Sequence, residues 1–348
     1  MVMTFGAKGV GDHVACSSFV RNLARNRPGA AIDVGVFSSV GAELFRHNPH
    51  IRNIHMVDMD YLKVGGKYRF RDSVRYISRF RRIHYDKIYV LGSKFRHAVF
   101  AFLIGGKERI GYDMANRDFL LTKTGREPIE KNVVERFLDL LVLDGMHIID
   151  SGIELFLSEN ETKTVEQMFA RLGILESDTV LCLAPFAADM RRTWGLRNFW
   201  KTALHFAEMG QKVLVLGSSE ERKHLTKYPL PRHPGIIDAV GKFTILETAA
   251  AIKRGALFLG NDSGLGHIAG AVRTTALILG YYITRVWHPF SPSVKTIIKE
   301  TGCTTCNLNN CIQGENVIPK CFASIPLSEV IDTLTEMLSK EFIHNLRT

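Results

Sequence analysis

No uninterrupted apolar run in this sequence approaches the roughly 18–20 residues that a helix needs to span a bilayer. That excludes a bundle of membrane-spanning helices. The first residues carry glycines and an early aspartate where a signal peptide would show a basic flank and an apolar run. The expected compartment is therefore the cytoplasm. Zinc-finger spacing, an aromatic RNA-binding stretch and a KH-type loop are all lacking, and so are low-complexity segments. The string Gly6, Gly9, Gly11 is spaced G-x-x-G-x-G rather than G-x-G-x-x-G. It argues against a nicotinamide cofactor, although Asp33 does lie about 20 residues on.

What is present is 348 residues, 46% hydrophobic and 23% charged, the balance of a globular protein long enough for two domains. The net charge of +10 is unevenly placed. Between Tyr61 and Arg109 stand thirteen lysines and arginines, Lys63, Arg79, Arg81 and Arg82 among them, against Asp72, Asp86 and Glu108. Such a cluster suits an anionic partner, whether nucleic acid, anionic lipid or a phosphorylated sugar. A merely solvated basic face is the plainer alternative.

Strand-like and helix-like segments alternate along the chain, which predicts an α/β fold with parallel sheets and crossover helices. Strands are expected at Met1–Phe5, 31–37 and 87–91, with a helix over 13–26. The periodicity lapses around Asp150 to Glu159 and a second alternating set follows. The expected domains are 1–155 and 156–325, with an amphipathic terminal helix in 326–348 as a candidate to pack back on the first domain.

The densest chemistry lies in Gly260-Asn-Asp-Ser-Gly-Leu-Gly-His267. An apolar strand that ends in Asp-Ser-Gly and turns straight into a helix presents backbone N–H groups and a positive dipole end, which suits a phosphate. An ordinary turn, with Asp262 or Ser263 merely capping the helix, is the competing reading. Cys16 and Cys182 sit in apolar surroundings and are expected in the core. Cys303, Cys306, Cys311 and Cys321 are spaced C-x2-C-x4-C-x9-C. Four thiolates at such spacing suit a structural zinc or iron ion, and reduced thiols are the alternative.

Taken together, the two halves resemble the ADP-heptose:lipopolysaccharide heptosyltransferases, glycosyltransferase family 9. The resemblance rests on Phe5-Gly-Ala-Lys-Gly-Val-Gly-Asp12, Arg21 to Asp33, Asn48-Pro-His-Ile51, Ala184-Pro-Phe186 through Arg192-Thr-Trp194, Gly241-Lys-Phe-Thr-Ile-Leu-Glu247 and Gly260 to His267. It implies a GT-B fold of two Rossmann-like domains facing a central cleft, with the acceptor on the first and the nucleotide-sugar donor on the second. The implied activity is inverting, metal-independent transfer of a heptose from ADP-heptose to an anionic lipopolysaccharide-core acceptor. No cofactor is required for such a catalysis. The implied location is the cytoplasm, peripheral on the inner face of the inner membrane.

Inversion needs one general base for the acceptor hydroxyl, and Asp12 matches the family's proposed base. An N-cap of the first helix is its alternative role, and a helix N-terminus would weaken it as a base. A diphosphate leaving group calls for positive charge and N–H donors. Arg192, then Arg191, are the side-chain candidates, with Lys242, Ser263 and Gly264 completing the cradle. Asp262 and His267 are implied at the donor sugar. Glu220 and Glu221 are candidates for the nucleotide ribose, or helix caps. The alternatives are another nucleotide sugar, a protein acceptor, or a nucleotide-sugar-binding protein without catalysis.

Overall fold

A computed structural model describes residues 1–3, 9–62, 69–92, 94–113, 118–303, 306, 311 and 318–339. The chain divides into two compact units, Met1–Ile153 and Glu154–Thr348. Each is built on one six-stranded sheet whose neighbouring strands are all parallel.

The N-terminal unit contains β1 (Val2–Met3), β2 (Asp33–Val36), β3 (Asn53–Met56), β4 (Lys87–Val90), β5 (Glu108–Tyr112) and β6 (Lys123–Gly125), in the spatial order β3-β2-β1-β4-β5-β6. The C-terminal unit contains β7 (Val180–Ala184), β8 (Lys212–Val215), β9 (Ile236–Asp238), β10 (Leu257–Asn261), β11 (Ala276–Gly280) and β12 (Val294–Ile298), in the order β12-β11-β10-β7-β8-β9. Strands β7, β10 and β11 are buried at every position, as strands covered by helices on both faces must be. Cys182 lies within this core with its thiol pushed up to about 12 by burial, and Cys16 is buried as well.

The strand order fixes where a ligand can sit. From β7 the chain steps outward to β8 and β9, then returns to β10 on the other flank of β7. The crossover helices diverge there, leaving a crevice beyond the carboxyl ends of β7 and β10. The N-terminal sheet has the same reversal between β1 and β4.

Three local differences from the sequence reading matter. The helix expected over 13–26 is two helices, Val10–Ala15 and Ser17–Asn26, divided at Cys16. There the Ser17 hydroxyl turns back to the Val14 carbonyl at 2.6 Å, so Asp12 lies inside the first turn of the first helix. The terminal helix Leu327–Leu338 packs within the C-terminal unit. Its Val330, Leu334 and Met337 join Phe199, Phe206 and Phe322 in one core, which accounts for its apolar stripe. Residues 340–348 lie outside the described residues.

The basic stretch, finally, is not one element: the helix Phe70–Arg81 carries Arg71, Arg75, Arg79 and Arg81 of it, and the rest lies on the flanking loops, strands and next helix. In the helix Phe70–Arg81, Tyr76 and Phe80 face inward, the Phe80 ring meeting Phe100 edge-on at 5.2 Å. Its arginines face water. Because this helix follows β3 and precedes β4, it runs antiparallel to the strands, and its last turn reaches the amino-terminal edge of the sheet. Arg81 accordingly lies beside Gly105, in the loop that leads into β5. No helix among the described residues is long and apolar enough to cross a membrane.

Candidate functional site

The crevice of the C-terminal unit is walled on one side by the segment that follows β7. Asp189 caps the short turn Met190–Arg192 through the Arg191 N–H, and its carboxylate also takes the Arg191 guanidinium at 2.7 Å. Arg192 turns the other way and stands over the Tyr281 ring, 5.6 Å from its centroid. Of the two arginines, one is held by its neighbour and the other reaches the crevice.

What holds this loop in place is Asn261, the last residue of β10 and fully buried. Its amide donates to the Pro185 carbonyl at 2.8 Å and to the Thr193 hydroxyl at 3.1 Å, while its oxygen accepts the Trp194 N–H at 2.9 Å. Thr193 donates in turn to Pro185 at 3.0 Å. Below this latch the Trp194 indole is buried and donates to the Ile325 carbonyl at 3.0 Å. Replacing Asn261 by alanine leaves these partners unpaired and is expected to cost about 3 kcal/mol. Urea denaturation checks this, and wild-type stability would show that the loop does not depend on Asn261.

On the other side stands the motif. Ser263 is the N-cap of the helix Gly264–Ala271, and its hydroxyl makes no capping bond. The first N–H groups of this helix, at Gly264 and Leu265, have no intrahelical partner and point outward from its open end. Asp262 is the most constrained group. Its Oδ2 accepts the Thr284 hydroxyl at 2.6 Å. Burial lifts its pKa to about 6, against the Thr284 hydrogen bond and the nearby His288 and Arg192. His267 has its Nε2 4.0 Å from Asp262 Oδ1. Burial lowers its pKa to about 4, so at neutral pH it faces the carboxylate as an uncharged ring and not as an ion pair.

Glu220, Glu221 and Lys242 follow β8 and β9 on the same edge of the sheet. Glu221 closes its own turn, accepting the Ser218 N–H at 2.7 Å while its N–H reaches the Ser218 hydroxyl at 3.3 Å. That turn lies ahead of the helix Lys223–Lys227, whose N-cap is Arg222, so Glu221 is not a helix cap. Glu220 and Lys242 are exposed. The Lys242 turn is drawn against the β8 turn by a 2.8 Å bond from Gly241 N–H to the Gly217 carbonyl.

In the N-terminal unit Asp12 is the third residue of its helix and Gly9 is the N-cap. Asp12 is therefore not itself the cap, and its carboxylate accepts the Gly9 backbone N–H. The contact is close enough that a Cβ on residue 9 would lie 2.6 Å from Oδ2. Burial nevertheless dominates and lifts the Asp12 pKa to about 6, against Gly9 and Lys94. The helix terminus does not weaken this carboxylate below its ordinary basicity. Lys94 is the N-cap of the helix Phe95–Leu103 that follows β4, so both groups occupy the switch point of this sheet.

Two groups of expected site residues are not brought to these crevices. Arg79, Arg81 and Arg82 lie at the last turn of their helix, the opposite edge of the sheet from Asp12, because the helix runs antiparallel to the strands. Lys63 lies outside the described residues. Among the described residues, no three His, Cys, Asp or Glu side chains are gathered closely enough to hold a metal ion. Cys306 and Cys321 pack against the core around Trp194 and Tyr281, and Cys303 contacts the Thr301 hydroxyl at 3.3 Å. Burial raises the Cys306 and Cys321 thiols, and the neighbouring cysteines add to the shift, Cys311 and Cys303 at Cys306 and Cys311 and Cys306 at Cys321. The expected ligands Cys303, Cys306, Cys311 and Cys321 thus share one neighbourhood, without three of them being drawn to metal-binding distance among the described residues.

Sequence reading carried Asn261 and Thr193 inside its motifs without giving either a role, and it did not single out Thr284. Each acts through partners distant in sequence.

The glycosyltransferase family 9 (heptosyltransferase) model matches residues 74–316. Lipopolysaccharide heptosyltransferase 3 of Escherichia coli K12 is 24% identical over 300 residues, covering 82% of this chain and 83% of the relative. Among solved structures, a family 9 glycosyltransferase from Veillonella parvula superposes with a TM-score of 0.79 at 19% identity, covering 97% of this chain and 96% of that one. The ADP-heptose lipopolysaccharide heptosyltransferase II of E. coli gives 0.78 at 19% identity, covering 98% and 99%. These structures share the architecture of two parallel α/β units, the GT-B fold. The chain belongs to glycosyltransferase family 9, the heptosyltransferase family, and is a glycosyltransferase.

Proposed function

We propose that this glycosyltransferase moves a heptose from ADP-heptose to an anionic acceptor of the lipopolysaccharide-core type, with inversion at the anomeric carbon. The observation that carries the donor half is the meeting of two strand ends at one switch point: the loop bearing Arg192 after β7, and the Asp262-Ser263-Gly264 helix start after β10. In this reading the diphosphate is held by the Arg192 guanidinium and the first N–H groups of the helix, while Asp262 accepts hydrogen bonds from the sugar hydroxyls. Lys242 and Glu220 stand on the same rim, on the nucleotide side.

The reaction then proceeds as one displacement. Asp12 takes the proton of the acceptor hydroxyl as its oxygen bonds to the anomeric carbon, and the bond from that carbon to the diphosphate oxygen breaks. Negative charge develops on ADP, where Arg192 and the N–H groups meet it. Protein groups alone supply this charge stabilisation, and activity is expected to persist in EDTA. The names of the relatives support the heptose donor and the lipopolysaccharide acceptor.

For the acceptor, exposed cations stand at helix starts on Asp12's own edge of the sheet: among the described residues these are Arg69, Arg71, Lys94 and Arg96, and Lys94 acts on Asp12 directly. Phe70, 83% exposed among them, adds an apolar element suited to a lipid surface. On this ground, and on the location that the family resemblance implies, our reading is peripheral docking on the cytoplasmic face of a membrane. The triple variant R69E/R71E/R96E is expected to raise the acceptor KM about tenfold with ADP affinity unchanged. An unchanged acceptor KM would remove these residues from the acceptor face. The donor itself is tested by a panel of nucleotide sugars scored for binding and slow hydrolysis. Preference for ADP-heptose supports the reading, and preference for a different sugar nucleotide replaces it.

A further inference from the structure

We infer that Thr284 is a positioning residue for the donor sugar: its hydroxyl ties back one oxygen of Asp262 and leaves the other for the substrate. The inference rests on the reading above that Asp262 holds the sugar. Thr284 opens the short helix Thr284–Trp287 after β11 and is fully buried. Its hydroxyl oxygen accepts the Tyr281 N–H at 3.0 Å. That contact uses a lone pair and directs the single hydroxyl proton to Asp262 Oδ2, at 2.6 Å. A hydroxyl with one proton has no other choice once its backbone donor is fixed.

The remaining surroundings determine what Asp262 Oδ1 can do. His267 Nε2 lies 4.0 Å from it, too far for a hydrogen bond, and the two side chains are 6% and 8% exposed. Arg192 and His288 are the other charged or titratable groups facing the carboxylate. Oδ1 is thus the oxygen still available to a sugar hydroxyl. The backbone is shaped for this arrangement, because a Cβ on Gly280 would lie 2.6–2.9 Å from the Thr284 side chain. Removing the hydroxyl lets the carboxylate turn and makes its ionised form less favourable, since the lost bond stabilises the charge.

The test compares Thr284→Val, Thr284→Ser and Asp262→Asn in the full chain, with ADP-heptose and ADP as the two probes. The expected result for Thr284→Val is an ADP-heptose KM raised about tenfold or more, an ADP Kd within about twofold of wild type, and an acid limb of kcat/KM displaced to higher pH. Thr284→Ser keeps the hydroxyl and is expected to restore all three. Thr284→Ala, which cannot overpack the site, replaces the valine variant if that one fails to fold.

The inference is overturned if Thr284→Val leaves the ADP-heptose KM unchanged while Asp262→Asn raises it. It is equally overturned if ADP binding falls as much as ADP-heptose binding, since Thr284 would then serve the fold alone. An Asp262→Asn variant with wild-type KM removes the sugar assignment itself, and the role of Thr284 with it.

Discussion

Asp12→Asn is expected to lower kcat about a thousandfold, within the range that positioned general bases supply, while ADP binds with wild-type affinity. Asparagine has the size of aspartate and can still accept the Gly9 N–H, so the first helix keeps its start. What it lacks is a site for the acceptor's proton. The pH profile gives an independent readout. Burial lifts Asp12 to about 6, so the carboxylate is largely ionised at pH 7 and is protonated as pH falls through 6. With Asp12 as the base, activity is expected above that value and is expected to be lost below it. Asp262 is also lifted to about 6 by burial, and the proposed reaction requires both carboxyls ionised. The acid limb of the wild type is therefore expected to be steeper than one proton, and Asp262→Asn to return it towards a slope of one. A residual rate in Asp12→Asn above a tenth of wild type would assign the base elsewhere.

The second large effect belongs to the leaving group. Arg192→Ala is expected to lower kcat about a hundredfold or more, comparable to the loss of one preorganised donor at a developing anion, and to weaken ADP. Arg192→Lys keeps the charge without the two-pronged geometry and is expected to recover part of the rate. The neighbouring position makes this prediction specific. Both are exposed, but the Arg191 guanidinium is held by Asp189, whereas Arg192 reaches Tyr281 and acts on the Asp262 carboxyl. Arg191→Ala is therefore expected to stay within a few-fold of wild type. Equal losses at both positions would contradict the division between them.

The contrast between these two arginines shows where sequence reading stops. The doublet and the motif at 260–267 were legible because local order was enough. A buried apolar run ending in polar residues and glycine marks a strand that turns into a helix. Which arginine faces the crevice depends on Asp189 and on the latch, and Asn261 reaches its partners 67–76 residues away. Asn261 reads as a loop residue, yet it ends β10, because its side chain is satisfied by another loop. Thr284 is 22 residues from Asp262 and carries no local signal.

Some elements were also hard to see for physical reasons. Strand β3, Asn-Ile-His-Met, lies at the sheet edge and has no buried position. Strand β6 is three residues long. In the helix Phe70–Arg81 the outward arginines mask the inward stripe of Tyr76 and Phe80. Charge alone suggested one basic surface there. The fold divides it between two edges of the sheet and leaves Arg79, Arg81 and Arg82 far from Asp12.

The central claim is transfer of a heptose from ADP-heptose with Asp12 as base. The most direct measurement incubates the full chain with ADP-heptose and a lipopolysaccharide core lacking its outer heptose, in EDTA, and determines the anomeric configuration of the product by NMR. The account predicts one heptose added with inverted configuration by the wild type, and no product from Asp12→Asn. A product of retained configuration, or an equal yield from Asp12→Asn, would contradict it.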